Sequence, residues 1–204
     1  MSIDISDFRA AATRVAAAME RDFEALNAAD GALGDGDLGV TMTRGMRAIE
    51  ALSPTLPDDL GLALLACAQA FTKSSGSSYG TLMATGLMAM AKIIKGRTSI
   101  EPAEISMLVA AARDAMMARG KAELGGKTVL DSLDAVVYAS AGLSDADAIS
   151  TAAATQVRAA MEAFKTKPAT IGRARIFAEK SMTMVDPGMM AMTGFVEAVV
   201  GKDG

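Results

Sequence analysis

Histidine is absent from this sequence of 204 residues. Its absence excludes a Ser-His-Asp triad, a histidine general base and a phosphohistidine carried on this chain. Cysteine occurs once, as Cys67, so the chain forms no internal disulfide and a zinc site lacks its usual ligands. The metals best suited to the remaining oxygen ligands are the hard cations Mg²⁺ and Ca²⁺.

Long apolar runs and a basic surplus are also missing. No apolar run reaches the roughly 18 residues that a membrane span needs, and the first residues do not have the pattern of a signal peptide. Acidic residues outnumber basic ones by 24 to 20, which gives a net charge of −4 and argues against a nucleic-acid partner. With 51% apolar and 22% charged residues, we expect a cytoplasmic globular protein with one domain over residues 1–204 and no membrane partner.

The apolar residues recur at helical spacing along almost the whole chain. We therefore predict an all-α fold, a single-domain barrel or bundle of about eight antiparallel amphipathic helices. In the first helix, Phe8 to Leu26 form one face and Ser6 is the expected N-cap; Ser144 is the expected N-cap of a later helix. Cys67 falls on an apolar helix face, where we expect it to be packed rather than reactive. The methionines are expected to fill the core.

The segment DGALGDGDLG, residues 30–39, brings three aspartates together in a glycine-rich loop. Two carboxylates about 4 Å apart repel by roughly 4 kcal/mol at an effective dielectric of about 20, so Asp30, Asp35 and Asp37 need a counter-charge. A divalent cation is the simplest one. A calcium EF-hand fits poorly because neither Thr41 nor Met46 is the bidentate glutamate that such a loop requires. Magnesium shared with substrate phosphates fits better; the alternative is a set of solvated turn and cap residues.

Three further glycine-rich loops lie between predicted helices. The loop KSSGSSYGT precedes a helix and exposes backbone N–H groups that suit a phosphate, although a plain helix cap is an equal alternative. The loop RGKAELGGKT is not a P-loop, because Lys121 stands where that motif needs glycine and no strand precedes it. In the last loop, Arg173 is placed either to clamp a phosphate or to pair with a carboxylate.

Together the loops resemble the L subunit of dihydroxyacetone kinase, the nucleotide-binding DhaL family. The matching motifs occur in the family order, as DGALGDGDLG, SGSSYGT, RGKAELGGKT, GRA and DPG. The resemblance covers residues 5 to 200 and implies a barrel of eight antiparallel helices with the nucleotide in the loops at one end. The chain departs from the family at Gly126, where aspartate is common, and at Leu38 and Met184, where histidine is common.

The resemblance also implies which residues form the site. Asp30, Asp35 and Asp37 would hold two Mg²⁺ ions that bridge the phosphates of ADP or ATP, and Arg173 would stabilise phosphate charge. The nucleotide-binding residues it implies are Leu38, Gly39, Val40, Thr41, Ser74, Ser75, Gly120, Val129, Arg173, Asp186, Pro187 and Gly188.

The implied reaction is phosphoryl transfer to a hydroxyl of a small ketose such as dihydroxyacetone, in glycerol metabolism. The ketose would be held by a separate K subunit, and the length of 204 residues favours a separate L subunit over a fused protein. The donor is either ATP or a multiphosphoryl M subunit of the phosphotransferase system that recharges bound ADP. Three alternatives remain open: the nucleotide subunit of a tetrulose or fatty-acid kinase, a non-catalytic ADP-binding module, and a ligand-free bundle. The oligomeric state is also open, a homodimer being one arrangement.

Overall fold

The computed structural model describes residues 2–201, apart from the side chain of Ala178, and within them the chain is all-α as predicted. The α-helices of this part of the chain are α1 (Ile5–Arg21), α2 (Phe23–Leu33), α3 (Leu38–Leu52), α4 (Leu60–Ser74), α5 (Ser78–Ile94), α6 (Ile105–Gly120), α7 (Val129–Ser140), α8 (Ala146–Lys165) and α9 (Pro187–Val200). Short 3₁₀ helices cover Ser53–Thr55 and Pro102–Glu104, and a longer one covers Arg173–Ser181. A two-residue antiparallel pair joins β1 (Ile3–Asp4) to β2 (Ser99–Ile100).

Eight of the helices form a closed ring in the order α1, α3, α4, α5, α6, α7, α8, α9 and back to α1. Arg14 helps to close it, because its guanidinium donates from α1 to the carbonyl oxygens of Ala198 (2.9 Å) and Val199 (2.7 Å) at the end of α9. A cation at the C-terminal end of a helix is also favoured by the helix dipole. The remaining helix, α2, packs against α3 and α9 at one end of the ring.

Methionine, alanine and aromatic side chains fill the centre of the ring, as the sequence predicts. Met19, Met42 and Phe71 are fully buried. Cys67 is buried beside them, and this burial raises the pKa of its thiol to about 12, so the thiol stays protonated and serves as packing.

Three predictions of helix boundaries were wrong. The first predicted helix is two helices, because the chain breaks at Asp22, whose side chain approaches Gly194 of α9. The N-cap of α1 is Asp4 rather than Ser6, since Asp4 Oδ1 accepts the Ser6 N–H at 2.7 Å. The N-cap of α8 is Asp145 rather than Ser144. Among the described residues, no helix is long and apolar enough to cross a bilayer.

Candidate functional site

Asp30 fixes the path of the chain between α2 and α3. It lies in the last turn of α2, and its Oδ2 accepts hydrogen bonds from the backbone N–H groups of Gly36 (3.0 Å), Asp37 (2.9 Å) and Leu38 (3.2 Å). The first N–H groups of a helix have no partner within the helix, so the carboxylate of α2 supplies one for α3. Asp37, the N-cap residue of α3, makes no capping bond with its own side chain.

Two glycines allow this close return of the chain. Gly36 has a φ of +80°, a conformation that L side chains rarely adopt. At Gly39 a Cβ would lie 2.7 Å from Asn27 Oδ1, because α3 begins directly against α2. The loop is therefore glycine-rich for geometric reasons, and the result is that its aspartates are held close together.

Asp30, Asp35 and Asp37 each offer a carboxylate oxygen within 4.8 Å of the others. Asp30 is half-buried and the other two are exposed. Loss of solvent around Asp37, together with the charges of Asp35 and Asp30, raises the pKa of its carboxyl. This cluster has the all-oxygen ligand set that Mg²⁺ prefers.

Arg173 provides the positive charge nearest the cluster that the structure shows. Its guanidinium forms an ion pair with Asp35 and thereby lowers the pKa of that carboxyl. Both side chains are largely exposed, so the pair adds little to stability. Arg173 begins the 3₁₀ helix Arg173–Ser181, which contacts α2.

Four helices begin at the wall of one cavity of about 1090 Å³ beside this cluster. The first residues of these helices, which all line the cavity, are Leu38 of α3, Ser78 of α5, Val129 of α7 and Pro187 of α9. The N-terminal end of a helix carries partial positive charge and favours anions. The cavity therefore combines carboxylates for a cation with helix ends for an anion.

Most of the site residues predicted from the sequence lie around this cavity. Those that line it are Asp30, Asp35, Asp37, Leu38, Gly120, Val129, Arg173, Asp186, Pro187 and Gly188. A smaller adjoining cavity of about 350 Å³ is lined by Val40, Thr41, Ser74 and Ser75, and it shares Asp37 and Arg173 with the larger one. Gly39 is buried and lines neither cavity. It contributes to the site by letting α3 begin directly against α2.

Asp186 is a buried carboxylate at the wall of the large cavity. It is the N-cap of α9, and its Oδ1 accepts the Met189 N–H at 2.9 Å. Burial raises the pKa of this carboxyl to about 6. The site therefore contains a buried carboxyl that keeps its proton to a higher pH than an exposed aspartate does.

Two residues that contribute to the site were not predicted as site residues. Tyr79 lines the large cavity, and its Oη donates to the carbonyl oxygen of Gly188 (3.1 Å), which joins the start of α5 to the start of α9. Lys127 is buried behind the cavity wall. Tyr79 lies within the motif SGSSYGT and Lys127 within RGKAELGGKT, so the sequence indicated both loops. It did not single out these two residues, because their hydrogen bonds join distant parts of the chain.

The chain belongs to the DAK2 domain family, whose model matches residues 32–201. It is 31% identical over 176 residues to the PTS-dependent dihydroxyacetone kinase, ADP-binding subunit DhaL, of Lactococcus lactis, covering 86% of this chain and 85% of that protein. It is 34% identical over 187 residues to the triokinase/FMN cyclase of Homo sapiens, covering 87% of this chain. The chain spans 32% of the length of that human relative.

A solved structure has the same fold. The dihydroxyacetone kinase of C. freundii in complex with AMP-PNP and Mg²⁺ matches with a TM-score of 0.72 at 22% identity, over 96% of this chain and 33% of that one. Its native form matches with a TM-score of 0.76. The all-α barrel predicted from the sequence is thereby confirmed.

Proposed function

We propose that this chain, as one domain over residues 1–204, is the nucleotide-binding phosphoryl-transfer subunit of a dihydroxyacetone-type kinase. The observation that carries the proposal is the juxtaposition of three carboxylates with four helix N-termini around one cavity. A magnesium nucleotide presents a cation and anionic phosphates together, so it matches both halves of this site. The names of the Lactococcus lactis relative and of the C. freundii complex agree with it.

Asp30, Asp35 and Asp37 are the proposed ligands of two Mg²⁺ ions. Since Asp30 Oδ2 is used by three backbone amides, Oδ1 is the atom that we assign to the metal. Bound Mg²⁺ would neutralise charge on the phosphates and align the transferring group, which is most of what phosphoryl transfer requires. Arg173, already paired with Asp35, is close enough to exchange that carboxylate for a phosphate oxygen.

The remaining predicted residues are assigned to the nucleotide. The starts of α3, α5 and α7 are assigned to the phosphates through their backbone N–H groups. The start of α9 is not, because Pro187 has no N–H and the Met189 N–H is bonded to Asp186. The apolar side chains of Leu82, Met116 and Val129 line the same cavity and offer a surface for the base. Ser74, Ser75 and Thr41 extend the polar wall into the smaller cavity.

The ketose is assigned to a partner K subunit, and the phosphoryl donor to ATP or to a phosphotransferase-system M subunit. The described cavities contain carboxylates, hydroxyls and arginine, and this chain has no histidine. The family resemblance implies that the K subunit binds the sugar through its own histidine, and binding of that kind needs a second protein here.

Ligand-linked stability tests the proposal directly. At a Mg-ADP concentration of 100 Kd, binding should raise the free energy of unfolding of the wild type by roughly 2.7 kcal/mol. Asp35→Ala should abolish this gain while leaving the ligand-free stability within about 0.5 kcal/mol, because it removes only an exposed ion pair. The measurement is urea denaturation with and without Mg-ADP.

Asp58→Ala is the matched control, since Asp58 is an exposed aspartate in the connector before α4 and lines neither cavity. It should keep the full gain. A wild type that gains nothing from Mg-ADP, or an Asp35→Ala variant that gains as much as the wild type, would overturn the proposal.

A further inference from the structure

Lys127 is a buried charge that the proposed function does not use. Its side chain is 1% exposed. Its Nζ donates to the carbonyl oxygens of Lys165 (3.1 Å), Lys167 (3.0 Å) and Ser181 (2.7 Å). An ammonium group has three N–H donors, so all of them are used. Burying an ammonium group costs free energy unless it is well hydrogen-bonded, so these three bonds are what keeps Lys127 at a buried position.

The three acceptors lie at the two ends of one segment. Lys165 is the last residue of α8, and Ser181 is the last residue of the 3₁₀ helix that Arg173 begins. Two further bonds hold these ends together: Thr183 N–H to the carbonyl oxygen of Lys165 (2.9 Å) and Ala169 N–H to Ser181 Oγ (2.8 Å). Segment 166–180 is therefore a loop pinned at its base, and Arg173 lies near its middle.

The turn that contains Lys127 is fixed by hydrogen bonds of its own. Thr128 is the N-cap of α7 and forms a capping box with Asp131, and Asp131 Oδ1 also accepts the Gly125 N–H at 2.5 Å. Lys127 stands inside this turn with a φ of +61°. The turn is thus fixed to the start of α7, which lines the cavity through Val129.

Gly126 adds a second contact between the turn and the segment. Its carbonyl oxygen accepts the Thr170 N–H at 3.2 Å, and a Cβ at Gly126 would lie 2.6 Å from Ile171 Cδ1. The missing side chain at this position leaves the space that Ile171 occupies. The segment therefore also contacts the turn at Gly126, the residue before the lysine, through one backbone hydrogen bond and close packing.

From this geometry we infer that Lys127 is a positioning residue, which pins both ends of segment 166–180 to the start of α7 and so holds Arg173 beside the aspartate cluster. The effect on nucleotide binding rests on the proposed function. The tether, by which we mean the attachment of segment 166–180 to the turn through Lys127, does not rest on the proposed function, because it consists of contacts within the chain. Among the described residues, Lys127 donates no hydrogen bond to a carboxylate, and its hydrogen bonds to the segment are all to backbone carbonyl oxygens. Its charge also acts on the Asp186 carboxyl, whose pKa it lowers.

The first test needs no ligand. Lys127→Met keeps most of the apolar stem and removes the donors, so the segment should open and trypsin should cut after Arg173 and Arg175 roughly tenfold faster than in the wild type. Lys92→Met, at an exposed lysine near the end of α5, should be cut at the wild-type rate. Cleavage sites are mapped by mass spectrometry. Equal rates for Lys127→Met and the wild type would overturn the tether, whether or not the wild type binds Mg-ADP.

The second test separates positioning from general structural damage. Titration calorimetry should show Mg-ADP binding weakened roughly tenfold in Lys127→Met and in Arg173→Met, with the double variant binding no more weakly than either single variant, because the lysine acts through the arginine. Additive losses, or unchanged affinity in Lys127→Met, would overturn the role in positioning Arg173. A wild type that does not bind Mg-ADP would refute the proposed function, and proteolysis alone would then decide whether the tether exists.

Ser181→Ala is the variant used to test the tether if Lys127→Met fails to fold. It removes the Oγ that accepts the Ala169 N–H without leaving a buried charge unmatched, so it loosens the same end of the segment. We expect faster cleavage after Arg173 and the same lack of additivity with Arg173→Met. Wild-type cleavage in this variant would count against the pinned base.

Discussion

The three aspartates of the acidic loop have different structural roles. Asp30 is half-buried and accepts three backbone N–H groups, whereas Asp35 and Asp37 are exposed. Replacement of Asp30 therefore removes a support for the start of α3 as well as a proposed metal ligand. Variants of Asp35 remove a proposed metal ligand and its exposed ion pair with Arg173 but no support of the backbone, which is why the ligand-linked test uses that position.

Asp186 gives a prediction about pH. Burial raises the pKa of its carboxyl from the usual 3.8 to about 6, so the folded state binds this proton more tightly than the unfolded state. The contribution of this carboxyl to the free energy of unfolding should then fall as pH rises from about 4 to about 6, and stay at the lower value above that. Asp186→Asn keeps an oxygen acceptor for the Met189 N–H and cannot ionise. At pH 8 and without ligand, the variant should be more stable than the wild type by about 3 kcal/mol, a difference that shrinks steadily toward pH 4.

Urea denaturation of both proteins from pH 8 to pH 4 measures this difference. Asp145→Asn is the control for the exchange of a capping carboxylate for an amide, because Asp145 caps α8 at an exposed position. If the wild-type and Asp186→Asn stabilities run parallel across the whole range, burial of the Asp186 carboxyl is not the source of the pH dependence.

At the scale of the helices, glycine sets how closely neighbours approach. Gly45 lies inside α3, and a Cβ there would overlap the ring of Phe71, which is fully buried on α4. Gly86 lies inside α5, where a Cβ would meet the sulfur of Met116 at 3.0 Å. The first neighbour is a rigid ring and the second is a flexible side chain, so the two glycines should differ in what they tolerate.

Gly45→Ala should lower the free energy of unfolding by about 1–3 kcal/mol, because overpacking against a fixed ring outweighs the gain of about 1 kcal/mol in helix propensity. Gly86→Ala, the matched control, should be close to neutral or slightly stabilising. Urea denaturation provides both values. Equal effects of the two changes would show that packing against Phe71 does not limit the approach of α3 and α4.

Helical periodicity predicted where most elements lie, because burial of one apolar face repeats along the sequence. It could not predict the break at Asp22, since the apolar pattern continues from Phe8 to Leu26 without proline or glycine at the break; the break depends on packing of α2 against α3 and α9. The clustering of the three aspartates was predicted from local spacing. The role of Lys127 was not, because its acceptors lie 38 to 54 residues further along the chain.

At the scale of the whole molecule, the ring directs four helix N-termini to one end. On the proposed function this end binds the magnesium nucleotide and must also face the acceptor, because phosphoryl transfer needs donor and acceptor oxygens in line. The cavity is built from this chain alone, whereas the ketose is assigned to the K subunit. Activity should therefore be a property of the pair of subunits.

The last prediction concerns that pair. The purified chain with Mg-ATP and dihydroxyacetone should show no turnover alone, and should show turnover when a K subunit is added, either with Mg-ATP or with a phosphotransferase-system M subunit as the donor. Formation of dihydroxyacetone phosphate in a coupled assay is the measurement. Asp35→Ala should stay inactive with the K subunit, since the metal site is lost, and Asp58→Ala should match the wild type. Turnover by the chain alone would show that the acceptor site is not on a partner. Absence of turnover with the K subunit and either donor, in a protein that binds Mg-ADP, would favour a nucleotide-sensing module over a kinase subunit.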